Sequence, residues 1–269
     1  MNRWPVKTAE LLALVRSRRP MIHHITNTVV TNFTANVTLC LGAAPVMASC
    51  RAEVEEMVAM AGCLLLNIGT LDEAQVESMH LAGRRANALG IPVVLDPVGA
   101  GATRLRTQAA ESLLREVRVS VLRGNAGEIL TLAGEGGKVR GVDSQEQAGP
   151  RDAVLRAFSA RAGLTVAVTG EVDLITDGKR TFRVSNGHPR MGQVTGTGCA
   201  ATTVVAGFLA VHPEDPAVAS ACALAAFGLA GELAAMTAQG PGGFVPQLLD
   251  SLAALDDKAL RQGVRLEVT

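Results

Sequence analysis

Tyrosine is absent from this chain, tryptophan occurs once, and aromatic residues make up only 3% of its 269 positions. Proteins that stack nucleobases need such rings, so single-stranded nucleic acid is a poor partner. Charge of one sign is lacking too, since 25 Lys and Arg balance 25 Asp and Glu. Binding a polyanion by bulk electrostatics requires clustered positive charge, and the balance excludes it. No Cys-x-x-Cys occurs among the five cysteines, and no His/Cys cluster has the spacing of a zinc site. Cys40, Cys50, Cys63 and Cys222 lie among apolar or small residues and are expected to be buried free thiols. The opening MNRWPVKTAELLALV has no apolar core followed by a small-residue cleavage site, and no stretch approaches the roughly 20 apolar residues of a membrane span. The expectation is a protein of the reducing cytoplasm, with no membrane and no nucleic acid as partner.

Hydrophobic residues, at 48%, are plentiful, and their pattern is informative. Thr8 is placed to cap a first helix that Pro20 stops, and residues 27–43 suit a second. PVMA (45–48) is a short strand candidate, and residues 51–62 suit a helix ending at Gly62. CLLLNIG (63–69), IPVVLDPVGAG (91–101), VSVLRGN (119–125) and GLTVAVTG (163–170) are continuous apolar runs ending in turn residues, as strands buried on both faces should be. Helical stretches 72–89 and 105–116 separate the first three, and AGEILTLAG begins another. Strands alternating with helices imply a mainly parallel sheet covered on both sides. Residues 171–187 read as a hairpin turning at Asp177-Gly178. Two Ala-rich helices follow, near 198–211 and 215–238, then a break at GPGG, a last helix near 244–260 and an edge strand in VRLEV. The polar tract 135–149 reads as a loop, and nothing demands a second domain within residues 1–269.

In open parallel sheets, ligands bind beyond the carboxyl ends of the strands. Those ends carry Asn67 and Gly69; Asp96, Gly99 and Gly101; Arg123, Asn125 and Glu128; and Thr169 with Gly170. Any one of these is ordinary turn chemistry, but four ends bearing carboxylates, an arginine and glycine turns suggest a site. Asp96 and Glu128 suit a hard, oxygen-ligated ion such as magnesium. His23-His24 is better read as a packed or solvated pair than as metal ligands. Gly196-Thr197-Gly198-Cys199 opens a helix, where amides and the positive dipole end attract anions; a purely structural turn is the other reading. The same stretch fits GxGxxA, yet it lies outside the first βαβ unit and lacks an acidic residue about 20 positions on. No GxxxxGK[ST] occurs, so a nucleoside triphosphate would bind without a P-loop.

Together ITNTVVTNFTAN, LGAAPVMA, NIGTL, LDPVGAGATRLR, RGNAGEI, VTGEVDLITDG and MGQVTGTGCAATTVVAGFLA resemble the hydroxyethylthiazole kinases, thiamin-salvage enzymes of the ribokinase-like superfamily. The resemblance implies a three-layer α/β/α fold with a central, mainly parallel sheet. It implies ATP-dependent phosphorylation of 4-methyl-5-(2-hydroxyethyl)thiazole, with Mg2+ as cofactor and a homotrimer as assembly. By the same resemblance Arg123, Thr169, Asn125 and Gly198 bind ATP, and Met47, Gly196, Asn27 and Gly69 bind the alcohol. Asp96 and Glu128 serve the metal, Asn125 and Glu128 matching an N-x-x-E pattern, and Cys199 stands at the catalytic position, where many sugar kinases carry GAGD instead of GTGC. Another ribokinase-like transferase, such as a hydroxymethylpyrimidine kinase, is the alternative within the fold. A catalytically silent nucleotide-binding regulator would not need Cys199, Asp96 and Glu128 together, and a dehydrogenase is disfavoured by the misplaced fingerprint. A helix N-terminus lowers a thiol's pKa below about 8.5, so Cys199 is expected to be partly thiolate near neutrality and able to accept the alcohol proton.

Overall fold

The computed structural model describes residues 3–135 and 148–269. Strands form where the sequence is apolar without interruption. β1 (Met21–Ile25), β2 (Ala44–Val46), β3 (Cys63–Asn67), β4 (Val93–Asp96), β5 (Val121–Asn125) and β6 (Thr165–Thr169) are mutually parallel. β7 (Asp173–Thr176), β8 (Thr181–Val184) and β9 (Leu266–Val268) continue the sheet antiparallel, in the order β2-β1-β3-β4-β5-β6-β7-β8-β9.

Alternate strand residues feed two separate cores, because successive side chains leave a strand on opposite faces. Cys63, Leu65 and Val94 join one core with α1 (Trp4–Arg18), α2 (Thr31–Leu41), α8 (Thr197–Leu209), α9 (Pro216–Thr237), α10 (Pro241–Ala254) and α11 (Asp257–Gly263). Leu64, Leu66 and Leu95 join the other with α3 (Val54–Val58), α4 (Glu73–Leu89), α5 (Arg104–Glu116), α6 (Ala126–Leu130) and α7 (Ala148–Ala162). The result is the expected three-layer α/β/α arrangement. α4 ends as its sequence dictates: Asp72 accepts from the Gln75 amide at one end, and Gly90 closes the other in the left-handed region.

Several expectations are corrected. Thr8 is not a cap; it lies inside α1, which Pro5 opens, and its hydroxyl donates to the Trp4 carbonyl. The strand β1 was not legible, because its centre is the pair His23-His24. Both histidines are buried: His23 Nε2 donates to the Ala48 carbonyl at 2.7 Å, and His24 Nε2 lies 3.2 Å from Thr38 Oγ1. Burial holds His24 neutral, with a pKa of about 3. GPGG starts α10 instead of breaking the chain ahead of it, since Pro241 fits a first helical turn, and the last helix is two, α10 and α11. α7 was not foreseen, and the expected polar loop lies mostly outside the described residues. Cys63 and Cys222 are buried as expected, but Cys40 is half-buried and Cys50 exposed. One stretch does reach the length and apolarity of a membrane span, the 22-residue α9; 89% of its apolar window is buried inside the fold, which marks it as a core helix.

Candidate active site

Parallel register brings the polar strand ends to one edge of the sheet. Asn67 of β3 sits beside Asp96 of β4, and Asn125 of β5 beside Thr169 of β6. α8 then starts over this edge. Gly196 is its N-cap at φ 89°, a left-handed conformation, and a Cβ there would come within 2.8 Å of Val30 Cγ1. Thr197 Oγ1 fixes the turn by donating to the Met191 carbonyl at 2.7 Å. At a helix start the amides of Thr197, Gly198 and Cys199 have no partner within the helix, which leaves them for an anion.

Cys199 is the third residue of α8 and its sulfur faces two side-chain amides. Asn67 Nδ2 donates to Sγ at 3.2 Å and Asn27 Nδ2 at 3.5 Å. The two asparagines are linked in turn, Asn27 Nδ2 donating to Asn67 Oδ1 at 2.8 Å, and the Gly69 amide donates to the same oxygen at 2.9 Å. Asn67 also donates to Asp96 Oδ2 at 2.9 Å, as does Thr202 Oγ1 at 2.7 Å, so the network runs from the connection after β1 through β3 to β4 and α8.

The expected thiolate is corrected. Burial pushes the Cys199 thiol up to about 11, and the charge of Asp96 adds to the rise. The amides of Asn67 and Asn27 and the Arg123 guanidinium oppose this only in part. Asp96 is itself lifted to about 6 by burial, against the pull of Arg123, whose Nη1 lies 3.7 Å from Oδ2, and of the Thr202 hydroxyl.

Next to the thiol a cleft of about 630 Å3 opens between β6, the start of α8 and the side of α9, within the range of small-molecule sites. Arg123, Thr169 and Gly198 line it, while Ala201, Leu224 and Phe227 supply apolar walls. Arg123 is buried, and its Nη2 donates to Thr169 Oγ1 at 2.5 Å. Its guanidinium therefore stands between the cleft and Asp96.

Hard oxygen donors are present for a divalent cation. Asp96 Oδ1 is buried with no hydrogen-bond partner among the described residues, the kind of atom a cation would satisfy. Glu128 is differently placed: Oε1 accepts from the Gly99 amide and Oε2 from the Asn125 amide, each at 2.8 Å. No group of three or more His, Cys, Asp or Glu side chains poised to hold a metal occurs among the described residues. An ion here would take most of its ligands from water and substrate phosphate, as magnesium does.

Of the residues singled out from the sequence, Asn27, Gly69, Asp96, Arg123, Thr169, Gly196, Gly198 and Cys199 thus converge. Asn125 caps α6, its Oδ1 accepting from the Glu128 amide at 3.0 Å, and is not among the residues lining the cleft. Met47 follows β2, the edge strand, and is half-buried on the far side of β1 from β3. Three contributors were not assigned a role from the sequence. Asn67 stood among the strand-end residues that suggest a site, without a role of its own, and Thr202 read as part of an apolar helix; its position one turn after Gly198 is the signal that marks it. Arg106 donates to the carbonyls of Ile68 (3.0 Å), Val98 (2.8 Å) and Gly69 (2.8 Å), tying the loops after β3 and β4 together.

Comparison with known proteins gives the family. Residues 12–258 match the family model described as the hydroxyethylthiazole kinase family. A hydroxyethylthiazole kinase from Methanoculleus marisnigri is 58% identical over 96% of this chain and 92% of its own. The solved structure of a hydroxyethylthiazole kinase protein from Pyrococcus horikoshii OT3 superposes with a TM-score of 0.89 at 43% identity, covering 98% of this chain and 99% of that one. A ribokinase-like superfamily protein from Enterococcus faecalis, 15% identical, shares the fold with a TM-score of 0.62 over 88% of each chain.

Proposed function

This chain belongs to the hydroxyethylthiazole kinase family, and we propose from its site how it works as one. It phosphorylates the hydroxyl of 4-methyl-5-(2-hydroxyethyl)thiazole at the expense of ATP, the thiazole step of thiamin salvage. The observation that carries the assignment of the parts is the position of Gly198 and Cys199. Gly198 lines the cleft, and the next residue turns its sulfur toward Asn27 and Asn67. The nucleotide lies in the cleft against Ala201, Leu224 and Phe227, with Thr169 and Arg123 at its phosphates. The alcohol lies beside Cys199, Asn27, Gly69 and Gly196, and the amides opening α8 hold the phosphoryl oxygens between the two. Electrostatic stabilisation of this kind is the main requirement of phosphoryl transfer.

Cys199 acts as a positioner in this reading. A thiol with a pKa of about 11 is almost wholly protonated at neutrality. Because the transition state is loose, the alcohol oxygen carries little charge until late, and no strong base is needed beforehand. Asp96, whose buried Oδ1 has no partner among the described residues, would hold Mg2+, which would supply neutralisation of phosphate charge, and Glu128 holds the Gly99 and Asn125 amides in place. The protein is cytoplasmic, residues 1–269 form one kinase domain, and three chains assemble. In the trimer Met47 at the sheet edge reaches a neighbour's alcohol pocket. The exposure of Val29 (65%) and Leu39 (56%) within the 27–47 stretch supports that contact. An ATP-consumption assay over a small panel of alcohols tests the reading: turnover with the thiazole alcohol and none with hydroxymethylpyrimidine is expected, and the reverse would overturn it.

A further inference from the structure

One wall of the cleft is the segment Asn186 to Met191, irregular as far as His188 and then entering a short 3-10 helix (Pro189–Gln193), which joins β8 to the turn that opens α8. It rests on α9 at two places where that helix has no side chain, through the backbone of Asn186 and through the side chain of Met191. A Cβ on Gly228 would come within 2.5 Å of the Asn186 carbonyl oxygen, and one on Gly231 within 2.4 Å of Met191 Sδ. At Gly228 the obstacle is backbone, so a larger residue there requires the wall to move away, whereas the flexible Met191 side chain can swing aside from Gly231. The segment is also tied down by polar bonds. Glu232, one turn beyond Gly228, accepts from Asn186 Nδ2 at 3.0 Å and from the Gly187 amide at 2.8 Å. Arg190 donates to the Ala235 carbonyl at 2.9 Å and to that of Ala238, at the end of the same helix. Glu232 does not line the cleft, and none of these groups takes part in the phosphoryl transfer described above.

We propose that Gly228 and Glu232 are positioning residues for the nucleotide: the notch and the carboxylate together fix how far the Asn186–Met191 wall stands from the floor of α9, and so the width of the cleft. The inference rests on the reading of this cleft as the ATP site. With alanine at 228 the Asn186 carbonyl must retreat by at least about half an ångström, separating wall from floor. An adenine base then loses close contact on one side, whereas the alcohol pocket, on the other side of Gly198, is held through the far end of the wall, where Thr197 Oγ1 donates to the Met191 carbonyl, five residues from the displaced Asn186.

The test is steady-state kinetics on Gly228→Ala and Glu232→Ala in the full chain. KM for ATP is expected to rise about tenfold in the first and several-fold in the second, while KM for the thiazole alcohol changes less than about twofold. Photolabelling of the wild type with 8-azido-ATP, followed by peptide mapping, separates the two levels of the argument. A label outside the cleft overturns the reading of the site. A label within the cleft, with KM for ATP unchanged in either folded variant, overturns the inference alone. Should Gly228→Ala not fold, Glu232→Ala, which leaves the helix backbone and the notch intact, decides the matter. A parallel rise in both KM values would also count against it, since that is what general loosening of the fold produces.

Discussion

Cys199 stands where a helix dipole favours a thiolate, yet the protein around it holds the thiol. A helix terminus is worth at most about 2 kcal/mol, roughly one and a half pKa units, and burial beside Asp96 outweighs it. Alkylation of the Cys199 peptide by iodoacetamide, followed by mass spectrometry, should therefore keep accelerating from about pH 7 to pH 10; a plateau near neutrality would contradict a raised pKa. Cys199→Ala should lose about 10²-fold in kcat, the scale of a misplaced reactant, with KM for ATP little changed. Cys199→Asp should remain active, since it restores the carboxylate of the GAGD pattern. A wild-type rate in the alanine variant would leave the thiol as packing only. Asp173, at the rim of the nucleotide cleft, gives a second response. Burial raises its pKa to about 6, against the hydrogen bond from the Gly170 amide. Its folded pKa exceeds the ordinary 3.8, so its contribution to stability is full below about pH 3.8 and is lost as pH rises through about 6. Asp173→Asn keeps the acceptor and removes the titration. Its Tm relative to wild type should climb between pH 4 and pH 7 by about 5 °C, on the order of 2 kcal/mol; a constant difference would show that the carboxyl titrates normally.

At the scale of elements, the site is held by short connections between strand ends and helix starts. Glu128 links two of them: it completes the capping box that starts α6 and holds the Gly99 amide after β4. Glutamine offers one acceptor and one donor where the carboxylate offers two acceptors, so one of the two amides loses its partner. Glu128→Gln is expected to lower kcat at least about tenfold while KM for the alcohol stays within about twofold. Equal activity with and without magnesium would remove the cation from this account altogether. Arg106 acts similarly on the loops after β3 and β4 by capturing three carbonyls, which is why those loops stay together without regular structure.

On the scale of the whole molecule, the sheet has two unlike margins. β9 closes one of them as a short strand ending near the chain terminus, and β2 forms the other with only three residues. Exposed Val29 and Leu39 lie near the β2 margin, in the stretch that runs from Asn27 to Met47. Light scattering is expected to give about 84 kDa, three times the 27.9 kDa of one chain. Leu39→Asp should shift that mass downward and raise KM for the alcohol together, because a separated chain has no neighbour to contribute Met47. A wild-type monomer at working concentration would end the trimer proposal and leave Met47 to serve its own chain.

What the sequence determined by itself was set by local and periodic chemistry. Uninterrupted apolar runs marked β3 to β6 as buried strands, Asp72 and Gly90 bounded α4, and Asp177-Gly178 fixed the hairpin, since each depends on residues adjacent in the chain. Cys199, Asp96, Arg123 and Thr169 were legible because strand ends and helix starts are where parallel sheets place chemistry. β1 was illegible because two histidines interrupt its apolar pattern, and only packing against β3 and α2 makes them core residues. Tertiary structure alone decided the state of the Cys199 thiol, which depends on an aspartate 103 positions earlier and on burial that no local pattern encodes. It alone decided the roles of Asn67, Thr202 and Arg106 as well. Their side chains act by direction across β3, β4 and α8, and direction is fixed only when those elements pack.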